Sequence, residues 1–211
     1  MQEPNISAKP VWDIAVRLFH WALVISFTTA YLTGDEESSL HTYAGYMVLG
    51  LIVFRLIWGF IGTQHARFKD FIYSPARVKA YAKSMLSGRV EHVDGHNPLG
   101  GIMVVALLIS LALTSITGLK VYGLEGHGPL AQQESGFFIS TAQASVPGKH
   151  SGGAKENEAA EDLWEDIHEF FANFTVFLIV LHIAGVVVSS RLEKQNLVKA
   201  MITGRKPSSF T

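Results

Sequence analysis

Four long runs of apolar residues, separated by polar segments, dominate the chain. They cover residues 14–32, 41–61, 99–121 and 168–190, and each approaches or exceeds the roughly 20 residues that a helix needs to cross the hydrocarbon core of a bilayer. Gly34-Asp35 follows the first run and Gly62 the second, and glycine is a common helix stop. The pattern predicts an all-α protein, an integral membrane four-helix bundle in which residues 1–211 form a single domain.

Lysine and arginine are distributed unequally among the segments that flank these spans. Residues 62–97 hold six, the segment after the fourth span holds five, and the N-terminal side adds Lys9 and Arg17. Residues 34–40 hold none and residues 119–164 hold three. Because basic residues accumulate on the cytoplasmic side of a membrane protein, we expect both termini and residues 62–97 to be cytoplasmic.

Three of the flanking segments have their own patterns. Ser74-Pro75 is a typical helix start, and the helix that follows over residues 76–86 would end before Gly88. Residues 196–203 form a similar stretch that ends at Gly204, so we predict two short cytoplasmic surface helices. The outer loop, about 122–165, is too long for a turn, and we expect it to be either partly disordered or a docking element.

Composition narrows the possible chemistry. Hydrophobic residues make up 48% of the chain, and there is no cysteine. This excludes disulfides, thiolate metal sites and covalently attached c-type haem, so any metal must bind to histidine or oxygen. A formal net charge of −1 with basic residues sorted by membrane side argues against nucleic-acid binding.

Four of the nine histidines lie in or at the ends of the apolar runs: His20, His41, His168 and His182. His168 and His182 are 14 residues apart, which places them about 21 Å apart along one helix and within about 40° of the same face. The topology puts His41 and His168 at the outer level, and His20 and His182 at the inner level. Each pair could therefore hold one haem iron between facing helices.

Neighbouring residues fit two haems. Gly45 and Gly185 follow His41 and His182 by about one turn and would leave room for a flat ring. Arg17 and Arg55 are costly in a membrane unless paired, and haem propionates are suitable partners, although Arg17 could simply extend to the interface. His96 could reach a propionate or a quinone headgroup, or only cap the surface.

A set of ordered motifs resembles the bacterial di-haem cytochrome b family, the cytochrome b561 and nickel-iron hydrogenase cytochrome b subunit type. The resemblance covers nearly the whole chain and is carried by Val11-Trp12-Asp13 with Arg17, Phe19, His20 and Trp21; Leu40-His41 with Gly45; Arg55-Leu56-Ile57-Trp58; Gly95-His96-Asn97-Pro98-Leu99-Gly100; Thr117-Gly118; His168-Glu169; His182; and Met201-Ile202-Thr203-Gly204-Arg205-Lys206. It implies two haem b groups, ligands at His20, His41, His168 and His182, quinone as the membrane electron carrier, and the bacterial inner membrane as location.

Several functions are compatible with these features. An electron-transfer subunit of a respiratory oxidoreductase, working between quinone and a periplasmic redox protein such as a c-type cytochrome, hydrogenase or other reductase, is favoured over a stand-alone enzyme. The alternative is a quinone-reducing oxidoreductase with a small diffusible donor such as superoxide. A metal-ion transporter would normally need carboxylates within the spans, and these are absent from the central spans. The sequence is also compatible with a homo-oligomer.

Overall fold

The computed structural model describes residues 8–34, 38–88, 93, 95–131 and 152–207, and helices account for most of them. The four long helices are α1 (Ile14–Leu32), α2 (Ser39–Ile61), α4 (Pro98–Leu124) and α5 (Gly152–Leu192). All four are long and apolar enough to cross a membrane. The predicted four-helix membrane bundle is therefore confirmed, and α1 has the predicted bounds.

The outer loop predicted over residues 122–165 is wrong at both ends. Helix α4 continues to Leu124, and α5 begins at Gly152 rather than at residue 168. The early part of α5 is rich in alanine and glutamate, which favour helix even outside the membrane. At about 1.5 Å per residue, the 41 residues of α5 span about 60 Å, so the helix extends well beyond the bilayer. The docking element predicted in this loop falls largely on residues 132–151, which lie outside the described residues.

Both predicted surface helices are present. Helix α3 spans Pro75–Leu86, with the Ser74 side chain accepting a hydrogen bond from the Arg77 amide. Helix α6 spans Leu197–Thr203 and ends at Gly204, whose φ of 79° lies in the left-handed region that glycine tolerates. Two short 3-10 helices, Gln64–Ala66 and Phe68–Asp70, connect α2 to α3.

The two ends of the chain pair with each other. Strand β1 (Ala8–Pro10) runs antiparallel to β2 (Arg205–Pro207), with Lys9 opposite Lys206. The amides of Val11 and Trp12 both donate to the Gly204 carbonyl. The pairing shows directly that both termini lie on one side of the bundle, and the basic residues identify that side as cytoplasmic.

An apolar layer lies near the middle of the bundle. Phe27 of α1, Val48 and Ile52 of α2 and Leu111 of α4 are buried together, and Val176 and Ile179 of α5 pack against them. Outside this layer many large apolar side chains are exposed, among them Leu18, Phe60 and Ile109. Such surfaces are a liability in water, but in a bilayer they contact lipid.

Asp13 joins the start of α1 to the end of α2. Its carboxylate caps α1 by accepting from the Val16 amide at 2.7 Å, and it also accepts from the Trp58 indole at 3.2 Å and from the Thr63 hydroxyl. Burial alone would raise the pKa of Asp13, but these hydrogen bonds outweigh it and lower the pKa below its ordinary 3.8.

We predict that Asp13→Ala destabilises the protein by about 2 kcal/mol, because a helix cap and two tertiary hydrogen bonds are lost. Asp13→Asn keeps an acceptor oxygen and is expected to cost less. Since the folded-state pKa is lowered, the carboxylate stabilises the protein above pH 3.8 and loses this effect as the pH falls through the folded value. Thermal unfolding in detergent at several pH values measures both effects. Equal stability of the three proteins at pH 7 would contradict the prediction.

Candidate functional site

The outer histidines face each other across the bundle. The rings of His41 on α2 and His168 on α5 have centroids 6.2 Å apart and are nearly perpendicular, at 89°. A bond between a transition metal and an imidazole nitrogen is about 2 Å long, and a ring nitrogen lies about 1 Å from its ring centroid. One metal bound by both rings would therefore separate the centroids by about 6 Å, which matches the observed distance.

Hydrogen bonds fix which nitrogen of each outer histidine is available. Nδ1 of His41 lies 2.9 Å from the Ala30 carbonyl of α1, and Nδ1 of His168 lies 3.0 Å from the Thr114 carbonyl of α4. A carbonyl oxygen can only accept, so each Nδ1 carries the hydrogen and donates it. The Nε2 lone pairs remain free to bind a metal, and the donated hydrogen bonds orient the rings.

Helix α4 provides two further features at His168 that the sequence analysis did not identify as functional. The Thr117 hydroxyl lies 3.1 Å from Nδ1 of His168 and donates back to its own helix, to Leu113 or Thr114. Gly118 lets the ring approach, because a Cβ there would lie 2.8 Å from Cε1 of His168. The available signal was the spacing of Ser110, Thr114 and Thr117, which puts hydroxyls on one face of an otherwise apolar helix.

The inner histidines are arranged differently. His20 on α1 and His182 on α5 are both half-buried and close enough to interact electrostatically. Nδ1 of His20 is buried without a hydrogen-bond partner among the described residues. No hydrogen bond to the ring of His182 is found in the same part of the chain. The inner pair thus lacks the anchors that hold the outer pair.

Arg55 occupies the inner level of α2. It follows His41 by 14 residues, the same interval that separates His168 from His182, so it lies about 21 Å deeper on nearly the same helix face. Only 3% of the Arg55 surface is exposed, yet Nη1 of its guanidinium has no hydrogen-bond partner among the described residues. Its guanidinium lies over the rings of Phe68 and Phe71, at 5.3 and 5.6 Å. Nε of Arg17, one turn before His20, is likewise buried and unpaired within the described chain.

These features fit haem. Asp13 attracts the charge of Arg55 but accepts no hydrogen bond from its Nη1. A buried donor without an acceptor is costly in a membrane, and the propionates of a haem would satisfy both arginines. A Cβ placed on Gly45 or Gly185 would meet no atom within 4 Å, so a flat ring can approach both helices there. The histidines, arginines and glycines present therefore fit haem.

His96 lies at the cytoplasmic end of the bundle, between aromatic rings. Its centroid is 4.5 Å from that of Trp12 and 4.9 Å from that of Phe71. Burial, and then the charges of Arg55 and Lys206, lower the pKa of His96 to about 3, so the imidazole is neutral at physiological pH. Nδ1 of His96 is buried without a hydrogen-bond partner among the described residues, while part of the residue stays accessible.

Comparisons with known proteins agree with this description. The family model described as prokaryotic cytochrome b561 matches residues 11–204. Relatives named probable Ni/Fe-hydrogenase B-type cytochrome subunit occur in Azotobacter chroococcum, 24% identical over 94% of this chain and 88% of the relative, and in Cupriavidus necator, 23% identical over 95% and 87%. Another, from Rhodobacter capsulatus, is 23% identical over 93% of this chain and 80% of the relative. No solved structure has a significant match.

Gly118 provides a test of the outer site. Gly118→Ala would force the added methyl group against the His168 ring, and we expect a loss of about 1–3 kcal/mol in stability from this overpacking. Gly50→Ala on α2 is the matched control, because its added Cβ would meet no atom within 4 Å. Thermal unfolding in detergent compares the two variants, and equal behaviour would contradict the described contact.

Proposed function

Because the chain belongs to the prokaryotic cytochrome b561 family, we propose that it is a di-haem cytochrome that transfers electrons between the quinone pool and a periplasmic redox partner. Family and relatives establish the coarser statement, a b-type cytochrome of electron transport with several spans in the bacterial inner membrane. The number of haems, their ligands, the quinone and the partner are our proposals.

The observation that carries the proposal is the pairing of histidines at two depths. We assign His41 and His168 as ligands of the outer haem iron, and His20 and His182 as ligands of the inner one. The 6.2 Å separation of the outer rings and their Nδ1 anchors support the first assignment. The second is supported by the electrostatic interaction of His20 with His182, and by the 14-residue interval that puts His182 on nearly the same face of α5 as His168.

The surroundings of each pair complete the proposed sites. Arg17 and Arg55 would bind the propionates of the inner haem, and Gly45 and Gly185 would face the rings of the outer and inner haem. When bound, each haem would supply a one-electron carrier. With two histidines holding each haem, no ligand position would remain for oxygen or substrate, which favours electron transfer over catalysis at the iron.

The proposed electron path runs through the bundle between the two levels. The histidines of α5 place the haems about 21 Å apart along the membrane normal, with the layer of Phe27, Ile52 and Leu111 between them. Reduction of a quinone to a quinol takes two electrons and two protons, so two one-electron transfers along this path serve each quinone. The reverse process releases the same electrons to the periplasmic side.

The partner is proposed from the relatives and the topology. Relatives are named hydrogenase cytochrome subunits, and we extend this to a periplasmic redox protein, such as a hydrogenase, a c-type cytochrome or another reductase. The part of α5 outside the membrane bears exposed acidic residues, including Asp162, Glu165 and Asp166, beside the outer site. A partner with a basic surface would complement this charge.

The haem assignment has a direct spectroscopic test. We predict two b-type haems per chain in a pyridine haemochrome assay, and loss or a high-spin change of one of them in each of the variants His20→Ala, His41→Ala, His168→Ala and His182→Ala. The control is His127→Ala, which removes an exposed histidine on the outer side and should leave both haems low-spin. Unaltered haem content and spin state in all four ligand variants would refute the assignment.

The electron-transfer role has a separate test. We predict that protein reduced with dithionite in nanodiscs is reoxidised by a short-chain ubiquinone, and that a periplasmic redox protein co-purifies from native membranes. Stopped-flow absorbance at the haem α-band follows the reoxidation, with quinone-free nanodiscs as control. Failure of quinone to oxidise a protein with both haems would contradict the quinone role, and steady superoxide-driven quinone reduction by the isolated chain would show a stand-alone oxidoreductase.

A further inference from the structure

The surroundings of the two histidine pairs differ in a way that bears on the direction of electron flow. We propose that unequal hydrogen bonding and charge make the outer haem the low-potential site and the inner haem the high-potential site, with Thr117 as a positioning residue that sets the outer value. The inference rests on the proposed function, since it needs a haem at each level.

Hydrogen bonding lowers the outer potential. Both outer rings donate from Nδ1, His41 to the Ala30 carbonyl and His168 to the Thr114 carbonyl and the Thr117 hydroxyl. Such a bond makes the opposite nitrogen a more basic ligand, and a stronger donor stabilises ferric over ferrous iron. Ligand hydrogen bonding is one of the established controls of haem potential. Neither inner ring has such an acceptor within the described residues.

Charge raises the inner potential. Arg55, with only 3% of its surface exposed, lies at the inner level of α2, and Arg17 lies one turn from His20. An arginine paired with a propionate cancels a negative charge that would otherwise oppose the added electron, and this effect is stronger in a poorly solvated position than in water. At the outer level the charged residue one turn from His168 is Glu165, whose negative charge would lower the potential of the outer haem. Because Glu165 is exposed, salt and water screen this effect. Asp13 attracts the Arg55 guanidinium and offsets part of its charge. The asymmetry therefore comes from what remains of the Arg55 charge, from Arg17 and from the anchored outer rings.

The order of potentials gives a direction. With both haems bound, one electron from a periplasmic donor would reduce the outer ferric iron, and its transfer inward would oxidise the outer iron while reducing the inner one. This transfer is favourable when the inner potential is higher. Two such electrons, with two protons, then convert a quinone to a quinol. The proposed direction is quinone reduction by the periplasmic partner.

Thr117 and Thr114 form a matched pair for the test. Both are threonines on α4 about one turn apart, but only the Thr117 hydroxyl contacts His168. The Thr114 hydroxyl is bonded to the Ser110 carbonyl and to Thr175. Valine has nearly the same shape as threonine but lacks the hydroxyl. Thr117→Val therefore removes one hydrogen-bond acceptor of His168, whereas Thr114→Val leaves the Thr114 backbone carbonyl, the other acceptor, in place.

The experiment is a potentiometric titration of the purified holoprotein, followed at the haem α-band. Thr117→Val should raise only the lower of the two midpoint potentials. The expected increase is up to about 59 mV, which for a one-electron couple is a tenfold change in the ferrous-to-ferric ratio at a fixed potential. Thr114→Val and Thr117→Ser should leave it unchanged. Arg55→Gln should lower only the higher potential, and Arg17→Gln takes its place if the first variant does not accumulate.

The outcomes separate this inference from the proposed function. A preparation without haem would refute the proposed function itself. If two haems are present but Thr117→Val has no effect, acts no differently from Thr114→Val, or moves the higher potential, the inference is overturned and the di-haem assignment stands. It is also overturned if the arginine variant moves the lower potential.

Discussion

The high cost of an unpaired polar group in hydrocarbon governs this structure. Polar side chains inside the bundle find partners there: Ser110 bonds to Thr175 at 2.7 Å, and Thr114 bonds to Thr175 at 3.3 Å. The exceptions are concentrated at the inner level, where nitrogens of Arg17, His20 and Arg55 stay unpaired among the described residues. Nδ1 of His96 and Oε1 of Gln195 are also buried without a hydrogen-bond partner among the described residues. The unpaired atoms therefore lie in the cytoplasmic half of the bundle, which indicates where another group belongs.

Helix geometry converts this constraint into a spacing. An interval of 14 residues returns a helix to nearly the same face about 21 Å further along. Helix α5 uses it to present His168 and His182, and α2 uses it to present His41 and Arg55. The two helices therefore offer different chemistry at the inner level, an imidazole from one and a guanidinium from the other. The apolar layer around Phe27 and Ile52 keeps the two levels apart.

The sequence alone was sufficient for the spans, the side of the termini and the candidate histidines, because hydropathy, basic residues and helical spacing are local signals. The sequence could not predict the hydrogen bonds that orient the rings of His41 and His168. The Thr117 contact depends on the rotation of α4 against α5, and the His41 contact involves a carbonyl, which every residue has. The extension of α5 was missed because a polar helix outside the membrane does not differ from a loop in hydropathy. The pairing of Ala8–Pro10 with Arg205–Pro207 joins opposite ends of the chain and leaves no local pattern.

That terminal pairing has a consequence for biosynthesis. Strand β1 precedes the four spans in the sequence and β2 follows them, so the ribbon can form only after all four spans have been translated. Until then Trp12, Arg17 and Gly204, which meet beneath the inner level, are held apart, and the cytoplasmic end of the bundle stays open. Closure of the cytoplasmic end is thereby ordered in time, because it needs β2, which follows the fourth span.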